Sequence, residues 1–129
     1  MKKKLAIIGA GIAGLTLANF IKKHSDHEFM VYEKEESLSL DEGYGIQLAT
    51  NSIKILNEID FNKISNEKIF HPNTLDFYDI QNEKICDLDL TKFNTNETKY
   101  TTLQRSTLIE YLKLILLRKR LGLLSLNLK

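Results

Sequence analysis

Three glycines and one acidic residue near the start of the chain have the types and spacing of a nucleotide-binding site. Gly9, Gly11 and Gly14 follow a short apolar run, and Glu33 comes about 20 positions after the last of them. The first glycine permits a tight turn, the second lets the backbone approach a pyrophosphate, and the third lets a helix pack closely on a strand. The pattern predicts binding of a dinucleotide, and no residue nearby is a convincing general acid or base.

A strand and a helix must hold the glycines in place. Residues 5–8 form a short apolar run of the kind buried in a parallel sheet, and the glycines begin where it ends. The pyrophosphate is predicted at the N-terminus of the following helix, where backbone N–H groups and the helix dipole favour an anion. Helical spacing continues to about Lys23, through Ile12, Leu15, Ala18 and Ile21.

A second strand, residues 29–32, is predicted to end beside Glu33. Glu33 is expected to accept hydrogen bonds from an adenosine ribose, and its charge would repel a 2′-phosphate. The residues of the glycine turn predicted to form the cofactor-binding site are Gly9, Ala10, Gly11, Ile12, Ala13 and Gly14.

The uncharged segment of residues 5–21 has an alternative interpretation, because it follows three lysines. A secretory signal would need a cleavage site with small residues, and residues 18–20 make a poor one. A membrane span needs about 20 apolar residues, whereas this segment contains three glycines and Asn19. The nucleotide-binding interpretation is therefore favoured.

The composition excludes several classes of function. The 129 residues, 43% hydrophobic and 27% charged, predict a single globular domain or a piece of one. A net charge of +1 gives no electrostatic basis for binding nucleic acid. The single cysteine, Cys86, cannot form an intrachain disulfide and fits a reducing compartment such as the cytoplasm. We expect a small-molecule partner, and neither nucleic acid nor membrane.

The middle of the chain is predicted to form a loop, a helix and a β-hairpin. Residues 34–42 are charged and serine-rich, as in a loop, and Thr50 or Asn51 can cap a helix that carries Ile53, Leu56 and Ile59. Residues 75–90 have the pattern of a hairpin with a polar turn at residues 80–83. Cys86 in this hairpin is expected to be packed and not reactive.

The last part of the chain is predicted to form a strand, a helix and a further strand. Residues 100–103 form the first strand, and Ser106 or Thr107 caps the helix, which places Arg105 immediately before its start. The helix is expected to end near Leu121, and residues 124–129 alternate with the period of a strand.

Two histidines, His24 and His27, are separated by two residues in a predicted loop between helix and strand. A metal site needs a third or fourth ligand, and the surrounding sequence offers none. A solvated loop without metal is therefore the favoured interpretation.

The motifs together resemble a known family. Residues 9–14 with residues 31–34, then residues 43–52, then residues 103–108 fall in the order seen in FAD-dependent aromatic-ring monooxygenases similar to p-hydroxybenzoate hydroxylase, which include the tetracycline-inactivating monooxygenases. The resemblance runs from residue 4 to about residue 117. It implies an α/β Rossmann-like FAD-binding fold with a β-hairpin excursion, FAD as cofactor, and NADH or NADPH as reductant.

The resemblance also implies roles for three residues outside the glycine turn. Lys34 would contact the adenosine end of FAD, Gln47 would face the flavin, and Arg105 would reach the flavin with its guanidinium group. Each has a structural alternative. Lys34 could be an ordinary exposed lysine, Gln47 could lie on the polar face of a short strand, and Arg105 could form a surface ion pair.

The chain also departs from the family pattern. Family members are much longer, and their Gly-Asp motif and the sheet that covers the substrate do not occur in residues 1–129. We therefore expect a truncated N-terminal portion of an FAD-binding domain in a monooxygenase that hydroxylates a small organic or aromatic substrate.

Alternatives to this function are a non-catalytic remnant, a nucleotide-binding module that works only with a partner chain, and a nicotinamide-only dehydrogenase module. We expect the chain alone to hold FAD weakly, to hydroxylate nothing, and to self-associate or pair with a missing C-terminal fragment.

Overall fold

The computed structural model of the chain describes residues 1–35 and 44–118, together with the backbone of residues 127 and 128. The first half contains β1 (Lys4–Ile8), α1 (Ile12–His24), β2 (Glu28–Glu33), β3 (Gly45–Leu48) and α2 (Thr50–Asn57). The second half contains β4 (Thr74–Tyr78), β5 (Lys84–Asp89), β6 (Thr101–Gln104), α3 (Arg105–Arg118) and β7 (Asn127–Leu128). Single 3-10 turns lie at Phe61–Lys63, Asn66–Lys68 and Leu90–Phe93.

A parallel sheet in the order β1-β2-β7 carries the N-terminal motif. Its strands pair so that Ile7 lies beside Val31, and both side chains are buried. The predicted strand-turn-helix-strand unit is therefore confirmed, with each boundary within one residue of its expected position. The final strand predicted from residues 124–129 is confirmed at Asn127–Leu128, where it runs parallel to β2.

One buried core joins this sheet to its helices. Leu15 and Ala18 of α1 and Leu108 and Leu112 of α3 are almost completely buried, and α1 contacts both α3 and the strands β1 and β2. Burial of such apolar side chains is the main favourable contribution to folding. The core continues into α2 and the segment after it through Ile53, Leu56, Ile59, Phe61 and Ile64.

Two antiparallel pairs complete the described part of the fold. Strand β3 pairs with β6, and β4 pairs with β5 in the predicted hairpin. One face of the hairpin carries Lys84, which forms ion pairs of 3.0 Å with Asp76 and 2.9 Å with Asp87. Both carboxylates raise the pKa of Lys84. The other face carries Phe77, which is 47% exposed, beside Cys86.

The prediction that Cys86 is packed is wrong, because its side chain is exposed. The hairpin pattern was recognised correctly, but a strand buries its apolar face only when another layer covers that face. Within residues 1–35 and 44–118, no element covers this side of the hairpin sufficiently to bury Phe77 or Cys86.

Both helix-cap predictions are wrong as well. The residue that precedes α2 is Ala49, and no side chain caps the helix; the Oδ1 atom of Asn51 accepts a hydrogen bond from the N–H of Ser52 instead. Helix α3 begins at Arg105, so Ser106 lies inside its first turn. The N–H of Arg105 donates to the carbonyl of Tyr44 at 3.1 Å, which extends the β3–β6 pairing and gives the first N–H group of α3 an acceptor.

Some sequence predictions concern residues that the structure does not describe. The greater part of the loop predicted at residues 34–42 lies in the range 36–43, outside the described residues. The predicted helix end near Leu121 also lies outside them.

Candidate nucleotide-binding site

The glycine turn after β1 is tied to the end of β2 by two hydrogen bonds. The N–H of Gly9 donates to the carbonyl of Tyr32 at 2.7 Å, and the N–H of Ala10 donates to the Oε2 atom of Glu33 at the same distance. Gly9 has a φ angle of +98°, a backbone conformation that residues with a Cβ rarely adopt. These two bonds and the positive φ of Gly9 define the shape of the turn.

Gly14 is required by close packing inside the chain. A Cβ added to Gly14 would lie 2.0 Å from the carbonyl oxygen of Gly9 and 3.4 Å from the side chain of Ile7. A backbone oxygen cannot move away without disturbing the turn. Gly14 thus allows the first turn of α1 to lie directly against β1, as predicted.

Neither backbone conformation nor packing against the described residues requires a glycine at position 11. Its φ angle is −74°, which any residue adopts, and a Cβ added there would meet no atom within 4 Å. The space is open to solvent at the N-terminus of α1. A glycine in this position leaves room for a group that is not part of the described chain.

The N-terminus of α1 offers backbone donors beside this space. The first hydrogen bond along the helix runs from the N–H of Leu15 to the carbonyl of Gly11 at 3.0 Å. The N–H groups of Ile12, Ala13 and Gly14 precede it and have no intrahelical acceptor. No acidic residue lies in this first turn. The N–H of Ala10, another of the predicted cofactor-binding residues, donates to Glu33.

The carboxylate of Glu33 is held by three backbone N–H groups. Oε2 accepts from Ala10 at 2.7 Å, and Oε1 accepts from Lys34 at 2.9 Å and from Glu35 at 3.2 Å. The bond from Ala10, followed by that from Glu35, lowers the pKa of Glu33 below its ordinary value. A carboxylate has about four lone-pair positions. One position on Oε2 therefore remains for a hydroxyl donor.

Lys34 lies just beyond β2 with its side chain 86% exposed. Its Nζ atom is 3.4 Å from a carboxylate oxygen of Glu35, an arrangement typical of weak surface ion pairs.

Arg105 lies at the first position of α3 with its guanidinium group over the ring of Tyr44. The distance from its Cζ atom to the ring centroid is 5.7 Å, which is within cation–π range. Among the described residues no carboxylate lies within ion-pair distance of Arg105. The guanidinium group carries five N–H donors, which can bind an anion or a ring carbonyl.

Gln47 lies on the exposed face of β3. Its Oε1 atom accepts a hydrogen bond of 2.8 Å from the hydroxyl of Tyr100, which orients the amide. Gly45, two residues before it on the same face, has nothing within 4 Å of an added Cβ. The β3–β6 pair thus presents an open, polar face beside the start of α3.

Asn19 is a structural residue that sequence reasoning missed. Its side chain is 5% exposed, and its Nδ2 atom donates to the carbonyl of Leu112 at 2.9 Å and to that of Leu15 at 2.8 Å. The Nζ atom of Lys22, one turn later, donates to the carbonyl of Leu116. Because both bonds advance along the two helices together, α1 and α3 run parallel. Arg105 therefore lies at the same end of the helices as the glycine turn.

A cavity of about 570 Å³ lies at the opposite end of α1. Lys22, Lys23, His24, Ser25, Asp26 and Asp60 contribute to its lining. Because it is at the C-terminus of the helix, where carbonyl groups disfavour an anion, it is not the predicted pyrophosphate site.

His24 and His27 lie on either side of the α1–β2 connection, and the ring of His24 stacks on Phe20 at a centroid distance of 5.5 Å. The described ranges contain no group of three or more His, Cys, Asp or Glu residues arranged to hold a metal ion. Among the described helices, none is long and apolar enough to cross a membrane.

Sequence comparison finds similar proteins for the N-terminal part of the chain. Residues 7–41 match the model of the NAD(P)-binding Rossmann-like domain family. The chain is 43% identical over 58 residues to a 3-amino-4-hydroxybenzoate 2-monooxygenase of Streptomyces platensis, a match that covers 45% of this chain and 14% of that protein. It is 37% identical over 70 residues to an FAD-dependent monooxygenase of Penicillium roqueforti, with 54% of this chain and 8% of that protein covered.

Solved structures share the fold over nearly the whole chain. The tetrameric form of 2-methyl-3-hydroxypyridine-5-carboxylic acid oxygenase superposes with a TM-score of 0.72 at 22% identity, covering 89% of this chain and 29% of that one. CtdE in complex with FAD gives a TM-score of 0.62 at 17% identity, with 90% and 28% covered. At such identities the likeness shows the fold.

The resemblance to FAD-dependent monooxygenases that the motifs indicated is confirmed by these matches, over less than a third of the length of the proteins compared. The α/β Rossmann-like fold is confirmed too.

Proposed function

We propose that this chain binds FAD as part of an NAD(P)H-dependent flavoprotein monooxygenase that hydroxylates a small organic or aromatic substrate. The observation that carries the proposal is the open space at Gly11. Gly9 and Gly14 are needed by the chain itself, whereas Gly11 leaves a gap beside unused helix N–H groups that suits a pyrophosphate.

Each part of the site has a role in this proposal. The N–H groups of Ile12 and Ala13 donate hydrogen bonds to pyrophosphate oxygens. The free lone-pair position of Glu33 accepts a hydrogen bond from a ribose hydroxyl. Lys34 lies near the adenosine. Arg105 donates to the flavin half of the cofactor from the start of α3, and Gln47 faces the same region.

FAD, when bound, supplies the redox chemistry by taking electrons from NADH or NADPH and passing them to oxygen. The residues of this chain bind and orient it. The similarity to a 3-amino-4-hydroxybenzoate monooxygenase supports an aromatic substrate, and the single cysteine supports a reducing compartment such as the cytoplasm.

The test is a calorimetric titration of the wild type and Gly11→Val with ADP and with FAD. The valine side chain fills the pyrophosphate space, so ADP affinity is expected to fall by at least about tenfold, while the unfolding midpoint changes little because no atom of the described residues lies within 4 Å of the added Cβ. Gly45→Val is a matched control for ADP, since Gly45 is equally open but lies on β3. Unchanged ADP affinity in Gly11→Val would refute the proposal.

A second candidate is a module that binds the nucleotide but catalyses nothing unless a partner chain is present. The chain spans 14% and 8% of the two proteins matched by sequence. Oxygen uptake by the FAD-loaded chain with NADH and NADPH separates the candidates. Hydroxylated product from the chain alone supports the enzyme, and uptake restored only by an added C-terminal fragment supports the module.

A further inference from the structure

The bond between Asn19 and Leu112 has a directional effect that apolar packing alone lacks. Leu15, Ala18, Leu108 and Leu112 pack α1 against α3, but the hydrophobic effect that favours these contacts is not directional. A hydrogen bond from a buried amide to one particular carbonyl fixes the register of two helices, as buried polar residues do in coiled coils.

The register matters because both helices begin the same distance from this bond. Ile12 starts α1 and Arg105 starts α3, and each lies two turns before the bonded residue of its helix, roughly 10 Å along the axis. Packed helices have axes about 8–10 Å apart. The pyrophosphate donors of α1 and the guanidinium group of Arg105 are therefore level with one another.

A shift of α3 along α1 by one residue would move Arg105 away from the pyrophosphate donors of α1. It would move Arg105 about 1.5 Å along the axis and turn it by about 100°, away from the side facing α1. The pyrophosphate donors would be unaffected, since they belong to the other helix.

We propose that Asn19 is a positioning residue. Its hydrogen bond to Leu112 sets α3 in the register at which Arg105 and the glycine turn hold the same dinucleotide. The inference rests on the proposed function, and it adds a residue that lies two helical turns from the predicted pyrophosphate contacts. Asn19 touches no ligand itself.

Removing the amide need not unfold the protein. The carbonyls of Leu15 and Leu112 both lie within helices, where they also accept the N–H four residues later, so no buried group loses its last partner when Asn19 is replaced by leucine. Leucine has a similar size and adds apolar contact.

The experiment measures ADP and FAD affinities by calorimetry in four proteins: the wild type, Asn19→Leu, Arg105→Ala and the double variant. ADP reports on the glycine turn and Glu33, and the ratio of FAD to ADP affinity reports on the contact made by Arg105. Asn19→Leu is expected to lower this ratio by roughly tenfold, as is Arg105→Ala, while ADP affinity stays within about twofold. The double variant is expected to be no worse than Arg105→Ala.

Thr16→Val is the matched control on the same helix. The Thr16 hydroxyl is buried and has no hydrogen-bond partner among the described residues, so valine removes a polar group from α1 without touching the bond to α3. Its FAD to ADP ratio should equal that of the wild type. If leucine does not fit, Asn19→Ala removes the same amide without added bulk.

Several results would overturn the positioning role. One is a ratio of FAD affinity to ADP affinity in a folded Asn19→Leu protein that equals the wild-type ratio. The others are losses in this ratio that add in the double variant, and equal affinities for ADP and FAD in the wild type. Absence of ADP binding by the wild type would instead remove the proposed function, and the positioning role with it.

Discussion

The carboxylate of Glu33 accepts a 2.7 Å hydrogen bond from the backbone N–H of Ala10, and so connects the end of β2 to the glycine turn. One side chain thus holds the turn and keeps one acceptor position, which the proposed function assigns to a ribose hydroxyl. Changes at Glu33 should therefore affect both the stability of the protein and its ligand selectivity.

The first prediction concerns selectivity at the ribose. The wild type should bind ADP more tightly than 2′-phospho-ADP, because the charge of Glu33 repels the extra phosphate and a phosphorylated oxygen cannot donate. In Glu33→Gln the ADP affinity should fall by about 1–3 kcal/mol, the range for hydrogen bonds to charged groups, and the discrimination should narrow. Competitive titration with both ligands measures this, and equal affinities in the wild type would contradict it.

The second prediction concerns pH. Because the bond from Ala10 lowers the pKa of Glu33 in the folded protein, the ionised carboxylate stabilises the fold above the unfolded pKa of about 4.3. That stabilisation should be lost as pH falls through the lower folded pKa. The difference in unfolding free energy between wild type and Glu33→Gln should be constant from about pH 7 to 5 and shrink below about pH 4. Denaturant unfolding across this range measures it, and a difference that grows on acidification would be the opposite result.

The third prediction separates two glycines by their surroundings. Gly14→Ala places a methyl group 2.0 Å from the carbonyl oxygen of Gly9, so it should destabilise the protein by at least about 2 kcal/mol. In Gly11→Ala the added methyl group has no atom of the described residues within 4 Å, and the backbone at this position has an ordinary φ of −74°. The free energy of unfolding should therefore change by less than about 1 kcal/mol. Chemical denaturation of the two variants makes the comparison, and similar losses in both would show that the turn packs differently.

The fourth prediction concerns the support of Arg105. Tyr44→Ala removes the ring beneath the guanidinium group and should weaken FAD binding by about 0.5–1 kcal/mol, the value of an exposed cation–π contact. ADP binding should be unaffected. Tyr44→Phe keeps the ring and should retain the affinity for FAD. An equal loss with phenylalanine would point to the hydroxyl instead of the ring face.

The N-terminal elements could be predicted from the sequence because their signals are local. An apolar run, three glycines at set spacing and an acid after the next strand specify one supersecondary unit, and the structure places them as expected. The cap residues and the burial of Cys86 could not be predicted in this way. The start of α3 depends on a strand partner from residues 45–48, and burial depends on which layers meet, so both are set by contacts distant in sequence.

Asn19 shows the same limit within the site. In the sequence it is one polar residue in an uncharged run, a weak sign of a buried hydrogen bond. Its partner is 93 positions away, and only the packing of α3 on α1 identifies it.

The exposed β4–β5 hairpin implies that local unfolding requires different free energies in different parts of the protein. Phe77 is half exposed, and the ion pairs of Lys84 in the hairpin lie at the surface. The free energy of local unfolding should therefore be much smaller for the hairpin than for β1 and β2. Its amide hydrogens should exchange with deuterium before those of β1 and β2, and a protease should cut at the turn around Asn82, where φ is +68°, before it cuts in those strands. Such a cut would leave the glycine turn and Glu33 on one fragment and Arg105 on the other, held together by the contact of α1 with α3.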